Sequence, residues 1–242
     1  MKPSSSGGMV IGLSGQAGIG KTSFALALAN SLSPLGIKCF YLSLEESVKD
    51  IQKRLSSLQS PFEKELSFYK KPKEWFFSTK AKETLKLNDL LNLIEKIGSE
   101  TKSEKVNNQS NQCNSIIIVD NLNEFFSEEK YSLIEEVIDK FRELKSIVIL
   151  IGGEGVLEKL RMEYLIDTGI KLMHEGLEKK GEKPLRLLNL YKTRHQLSRQ
   201  GTHVFHMSGD EGFRISPQIP SQMDRKEKLK NFFMTKLNLF ML

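Results

Sequence analysis

The 242-residue chain reads as an α/β protein: a mainly parallel central sheet flanked by helices, ending in a C-terminal antiparallel strand section. Three observations predict this. An apolar run (Met9 to Leu13), a glycine-rich turn, a helical run (Thr22 to Leu32) and a second apolar run (Lys38 to Leu44) follow one another as a βαβ unit, the device that joins parallel strands. Two more short apolar runs, Ser115 to Val119 and Ile147 to Ile151, are separated by the helical stretch Lys130 to Leu144. Beyond Ile151 the alternation changes: Gly169 to Glu175, Leu185 to Lys192, His203 to Ser208 and Gly212 to Ile215 look like strands joined by short turns such as Lys180-Gly181-Glu182-Lys183.

Taken in order, residues 1–8 are a flexible Ser/Gly lead. Val10 to Ser14 has the continuous apolar character of a buried strand. Phe24, Ala25, Leu28, Ala29 and Leu32 recur at helical spacing, and Ser33-Pro34-Leu35-Gly36 stops that helix. Ser47 to Leu58 puts Val48, Ile51 and Leu55 on one helical face. Residues 60–80, with Trp75, Phe76 and Phe77 among lysines, fit no periodic template; such interleaving suits single-stranded nucleic acid, but packing of a surface element is the simpler reading. Leu87, Leu90, Leu91 and Ile94 define an amphipathic helix from Leu85 to Ile97. Ser99 to Asn114 is polar and aperiodic, the pattern of a mobile surface loop. Lys226 to Leu242 spaces Leu229, Phe232, Phe233, Leu237 and Phe240 helically among basic residues; packing on a neighbour or on its own core is the simplest expectation, and a membrane-surface helix is the competing one. No internal repeat is visible. One domain over residues 9–216, containing the loop 99–114, is expected between the lead and a tail at 217–242.

Composition bounds the function. At 39% hydrophobic and 27% charged, the chain builds a core and is not disordered. Cys39 and Cys113 are far apart and form no Cys-x-x-Cys pattern, which gives no support to a zinc site and points to a reducing, cytoplasmic setting. No apolar run reaches the roughly 18 residues of a spanning helix, and the start Met1-Lys2-Pro3-Ser4 lacks a signal-peptide core. A net charge of +6 permits nucleic acid or an acidic surface as partner without requiring either.

The chemistry concentrates in Gly15-Gln16-Ala17-Gly18-Ile19-Gly20-Lys21-Thr22, which has P-loop spacing between a strand and a helix. Gly15, Gly18 and Gly20 let bare N–H groups approach phosphate oxygens, and the helix N-terminus adds positive potential. Lys21 is expected to reach the β- and γ-phosphates of ATP and the Thr22 hydroxyl to ligate Mg²⁺, with Ser23 closing the nucleotide-binding set from Gly15. The bland alternative is a glycine-rich turn opening an ordinary helix, which leaves Lys21-Thr22 in register without a reason.

Hydrolysis needs more than phosphate binding. Asp120 follows Ile116-Ile117-Ile118-Val119, where a Walker B carboxylate belongs, holding the metal through water. An Asp that only ends a strand is the competing reading. Glu45 and Glu46 directly follow the second strand: one is the water-activating base, or both favour the N-terminus of the next helix. Residue chemistry alone leaves these two equal.

Tyr41-Leu42-Ser43-Leu44-Glu45-Glu46-Ser47 after a P-loop βαβ unit resembles the KaiC branch of the RecA-type ATPases, in which a paired Glu at this strand end supplies the catalytic carboxylates. Glu163-Tyr164-Leu165-Ile166-Asp167 before Leu172, Leu190-Tyr191-Lys192-Thr193-Arg194, and Phe205 with Gly212-Phe213-Arg214-Ile215 resemble further segments of that family, so the likeness runs from about residue 9 to 216. It implies a RecA-like P-loop NTPase core that binds ATP and Mg²⁺. It also implies a ring homo-oligomer such as a hexamer, with nucleotide between subunits and Lys192 and Arg194 reaching the neighbour's γ-phosphate. Four departures stand out: His195 and Gln196 where the family has Gly-Thr, a shortened segment before the P-loop reduced to Gly7-Gly8, Glu163 and Tyr164 where the clock kinase carries phosphorylatable residues, and one domain instead of two.

Three functions follow. The first is an oligomeric, nucleotide-switched regulatory or signalling ATPase. The second is a RecA/RadA-like DNA-dependent ATPase, motivated by the basic pI and the lysine-rich stretches 64–82 and 225–236, although no zinc motif, Lon-like tail or helicase segment accompanies them. The third is a non-hydrolysing module that holds ATP as a structural ligand.

Overall fold

The computed structural model describes residues 8–32, 38–43, 47–57, 75–79, 87–103, 115–124, 131–159, 161–175, 185–194, 200–208 and 212–218. Its strands are β1 (Met9–Gly15), β2 (Lys38–Ser43), β3 (Trp75–Thr79), β4 (Ser115–Asp120), β5 (Ile147–Ile151), β6 (Thr168–Glu175), β7 (Leu185–Thr193), β8 (Gly201–Ser208) and β9 (Gly212–Gln218). The helices are α1 (Lys21–Leu32), α2 (Val48–Ser57), α3 (Leu87–Ser103), α4 (Tyr131–Glu143) and the single turn α5 (Val156–Lys159). Short 3₁₀ turns cover Leu122–Glu124 and Met162–Tyr164.

The nine strands among the described residues join one sheet in the order β3-β2-β4-β5-β1-β6-β7-β8-β9. From β3 to β6 the neighbours are parallel; from β6 to β9 they are antiparallel. The expected mainly parallel sheet with an antiparallel C-terminal section is therefore present. The central strands β4 and β5 are near-continuous apolar runs because both faces are covered. In β1 and β4 alternate residues go to opposite faces: Ile11, Leu13, Ile116 and Ile118 pack with Phe24, Ala25, Ala29 and Ile51 of α1 and α2. Val10, Ile117 and Val119 pack with Ile94, Ile97, Ile134, Ile138 and Phe141 of α3 and α4.

The antiparallel section, joined to the core by the β1–β6 pairing, also packs on α1. Phe213 of β9 meets Phe24 edge-on with ring centroids 4.9 Å apart and stacks on Phe205 of β8 at 5.1 Å. Such pairs add roughly 0.5–1.5 kcal/mol each beyond the area they bury. The α1 helix is thus held between the parallel strands and β8–β9.

One expectation is corrected here, and one stretch that fits no periodic template acquires an element. The α3 helix runs to Ser103, so residues 99–103 belong to it and not to a loop. Within the stretch left without assignment, Trp75–Thr79 is a strand paired in parallel with β2, Trp75 opposite Cys39 and Thr79 opposite Ser43. The lead 1–7, residues 60–74, the remaining loop 104–114, the turn 180–183 and the C-terminal helical pattern from Lys226 lie outside the described residues. Among the described residues no helix is long and apolar enough to cross a membrane.

Candidate nucleotide site

The site forms where β1 ends, near the middle of the sheet and at the carboxyl ends of the parallel strands, the usual position for ligands in open α/β sheets. Gly15 has φ +151°, and a Cβ there would come within 2.5 Å of the Leu172 carbonyl oxygen. Only glycine lets the chain leave the strand at that point. Gln16, Ala17 and Gly18 are exposed, whereas Ile19 is fully buried and anchors the far side of the loop in the α1 face of the core. Gly20 has φ +108° and lies under Met207 of β8. The Phe24 amide then donates to the Gly20 carbonyl at 2.8 Å and α1 begins.

Lys21 turns back over the loop: its Nζ donates to the carbonyls of Gly15 at 2.9 Å and Gln16 at 2.8 Å. The ammonium is thus held at the loop's own backbone, where an anion entering the loop would meet it. Thr22 Oγ1 donates to Asp120 Oδ2 at 2.7 Å, joining the first turn of α1 to the end of β4 across 98 residues of sequence. The Tyr41 hydroxyl donates to the same oxygen, also at 2.7 Å. Asp120 is only 7% exposed. Its peptide bond to Asn121 is cis. Beyond it, Asn121 Oδ1 accepts the Asn123 amide at 3.0 Å and Asn123 Oδ1 accepts the Gly153 amide at 3.1 Å, linking the ends of β4 and β5.

This donor set suits a phosphate with a small divalent cation. The loop supplies a cationic side chain and a helix N-terminus for anionic oxygens. Thr22 and Asp120 bring two hard oxygen atoms to one point, a set that fits Mg²⁺, which is usually bound by one or two carboxylates plus substrate phosphates while keeping several waters. Among the described residues no group of three or more His, Cys, Asp and Glu forms a metal cage of the other kind.

A family model described as ATPase: KaiC matches residues 6–219. The chain belongs to the KaiC ATPase family. This makes it, in general terms, a nucleotide-binding P-loop ATPase domain. Among solved structures, a KaiC-like protein of the hyperthermophilic archaeon Pyrococcus horikoshii OT3 superposes with a TM-score of 0.63 at 19% identity, covering 87% of this chain and 90% of that one. At that identity the likeness is one of fold. No curated protein gives a significant match.

Not every residue singled out in the sequence comes to the loop. Lys192 and Arg194, on and just after β7, lie toward the opposite end of the sheet from the P-loop. Lys192 pairs with Gly169, which pairs with Gly12, whereas Gly15 is opposite Leu172. That is three residues lower, about 10 Å along the strands, and two strands away. Lys192 Nζ donates to the Glu163 carbonyl. Burial pushes its pKa below the usual lysine value and neighbouring Arg194 adds to this, against Asp167 and Glu163. The Arg194 amide donates to the Asp167 carbonyl at 2.8 Å, and its side chain is exposed. Glu45, Glu46, His195 and Gln196 lie outside the described residues.

Two residues without a predicted role belong to the framework. Tyr41 touches Asp120, and its one signal in the sequence was a hydroxyl inside the run Lys38 to Ser43, on the same alternating face as Cys39 and Ser43. Asp167 accepts the Val10 amide at 2.9 Å through Oδ2 and the Arg142 guanidinium at 3.2 Å through Oδ1, so it fastens the start of β1 to α4.

Proposed function

We propose that the chain binds and hydrolyses Mg²⁺-ATP as a ring-forming, nucleotide-dependent regulatory ATPase. The observation that carries this is the 2.7 Å contact between Thr22 Oγ1 and Asp120 Oδ2 at the mouth of the glycine loop. In this reading Gly15 to Ser23 cradle the phosphates, Lys21 leaves its two carbonyls to engage the β- and γ-phosphates, and Thr22 and Asp120 hold the cation. The cation neutralises charge on the phosphates when bound.

Glu45 or Glu46 orients and deprotonates the attacking water. The alternative role for these acids, serving the next helix, has less to explain. Ser47 Oγ accepts the Asp50 amide at 3.3 Å and its hydroxyl donates to Asp50 Oδ2 at 2.6 Å, so α2 already carries an N-cap and an acid in its first turn.

Lys192 and Arg194 act on the γ-phosphate of a neighbouring subunit. Their distance from the P-loop of their own chain supports a role in trans over one in cis. Such a finger contributes about 10³–10⁵ in rate, so the isolated subunit is expected to hydrolyse slowly. A reducing, cytoplasmic setting fits the free, buried Cys39, whose thiol is pushed up by burial.

Solution mass measured with and without Mg²⁺-ATP, with phosphate release followed on the same sample, tests the proposal. Nucleotide-dependent assembly with turnover supports it. Tight ATP binding without phosphate release from the assembled state selects the structural-ligand reading. Turnover that rises on adding single-stranded DNA, with salt-dependent DNA affinity, selects the recombination-type reading.

A further inference from the structure

Tyr41 is 1% exposed and stands on the sheet face covered by α1 and α2. Parallel pairing puts it opposite Ile118, while Ser43 is opposite Asp120. The phenol therefore starts two residues, about 6.5 Å, below the carboxylate and spans that distance along the sheet with its ring. Its hydroxyl ends 2.7 Å from Asp120 Oδ2, the atom that also receives Thr22 Oγ1. A buried tyrosine hydroxyl needs a partner, and many polar atoms would serve. Here the partner is the one carboxylate oxygen already joined to the first turn of α1.

An Asp carboxylate rotates broadly about χ2 unless neighbours hold it. Mg²⁺ demands near-octahedral geometry and tolerates misplaced ligands poorly. From these two facts and the shared oxygen, we infer that Tyr41 is a positioning residue for the metal end of the site, orienting Asp120 so that it and Thr22 present a preformed pair to a divalent cation. The inference rests on the reading that Thr22 and Asp120 hold that cation. Tyr41 meets neither nucleotide nor cation; it acts through Asp120.

The test titrates the full chain with N-methylanthraniloyl-ADP at increasing Mg²⁺. In the wild type, Mg²⁺ tightens nucleotide binding with a measurable half-saturation. Tyr41→Phe keeps the ring and removes the hydroxyl. It is expected to leave metal-free nucleotide affinity unchanged and to raise half-saturating Mg²⁺ about 10-fold or more, the usual effect of losing a residue that orients a metal ligand. Cys39→Ala, a packing change on the same face of β2, should lower the Tm without moving the Mg²⁺ requirement.

A Tyr41→Phe protein with wild-type Mg²⁺ dependence overturns the inference alone. A wild type whose nucleotide affinity ignores Mg²⁺ overturns the metal reading and the inference with it. Should Tyr41→Phe fail to fold, 3-fluorotyrosine labelling of the wild type decides. The Tyr41 signal, assigned by Phe substitution at Tyr69, Tyr131, Tyr164 and Tyr191, must shift on adding Mg²⁺ to the ADP complex. An unmoved signal overturns the proposal.

Discussion

Lys21 is tied to Gly15 and Gln16 by two hydrogen bonds of 2.9 and 2.8 Å, which in the proposed function an incoming phosphate replaces with charge-assisted ones. Lys21→Ala is expected to cut phosphate release by roughly 100-fold or more, as loss of a donor aimed at developing charge does. Glu45→Gln together with Glu46→Gln, which removes both candidate bases without changing shape, is expected to abolish turnover while ATP binding persists; equal turnover in a phosphate-release assay would sink the assignment of the base to this pair. Gly20→Ala tests the loop's backbone. The new methyl would come 2.6 Å from Met207 Sδ, but a thioether can swing aside. The φ of +108° cannot be relieved that way, so backbone strain dominates, and a loss of about 1–2 kcal/mol in urea unfolding is expected.

Among the polar ties between the described elements, those of Asp167 are the most instructive. Its ion pair with Arg142 is partly exposed, with 29% of the Arg and 13% of the Asp side chain accessible, and is worth about 0–1 kcal/mol. Its bond to the Val10 amide is of another kind, since an orphaned, part-buried backbone donor costs about 1–3 kcal/mol. The backbone bond therefore wins. Asp167→Asn, which keeps an acceptor, should cost less than about 1 kcal/mol, and Asp167→Ala about 2–3 kcal/mol, by denaturant titration. Equal losses in the two variants would show that charge matters and the acceptor does not. The start of β1 loosens in the Ala variant, and with it the support of the P-loop one strand-length away.

At the scale of the molecule, the separation of Lys192 and Arg194 from their own P-loop makes mixing experiments decisive for the proposed assembly. A Lys192→Ala/Arg194→Ala protein and a Lys21→Ala protein should each be nearly inactive. Mixed in equal amounts and allowed to assemble, they should regain a fraction of wild-type phosphate release, because intact loops then face intact fingers. If the basic pair works in cis or only braces the Glu163 carbonyl, mixing restores nothing.

Local order carries the features that were legible in the residues. The glycine loop and the apolar strands read out of short-range pattern, since spacing and hydrophobic period are properties of neighbouring residues. Where that pattern is weak, consecutive residues assign no element: Trp75–Thr79 sits among lysines without a period, and Ser99–Ser103 at the end of α3 is a polar sequence with no apolar residue to set a helical period. Asp120 could be matched to its place after β4, yet its meeting with Thr22 and Tyr41 depends on strand order and register, which bring together residues 98 and 79 positions apart. The same holds for Asp167 and Val10, 157 apart, and for the exclusion of Lys192 from its own loop. Loop type, helix face and strand character are written in consecutive residues. Which side chain faces which is a consequence of the sheet closing in one order, because contact in a folded chain follows pairing between strands and not distance along it.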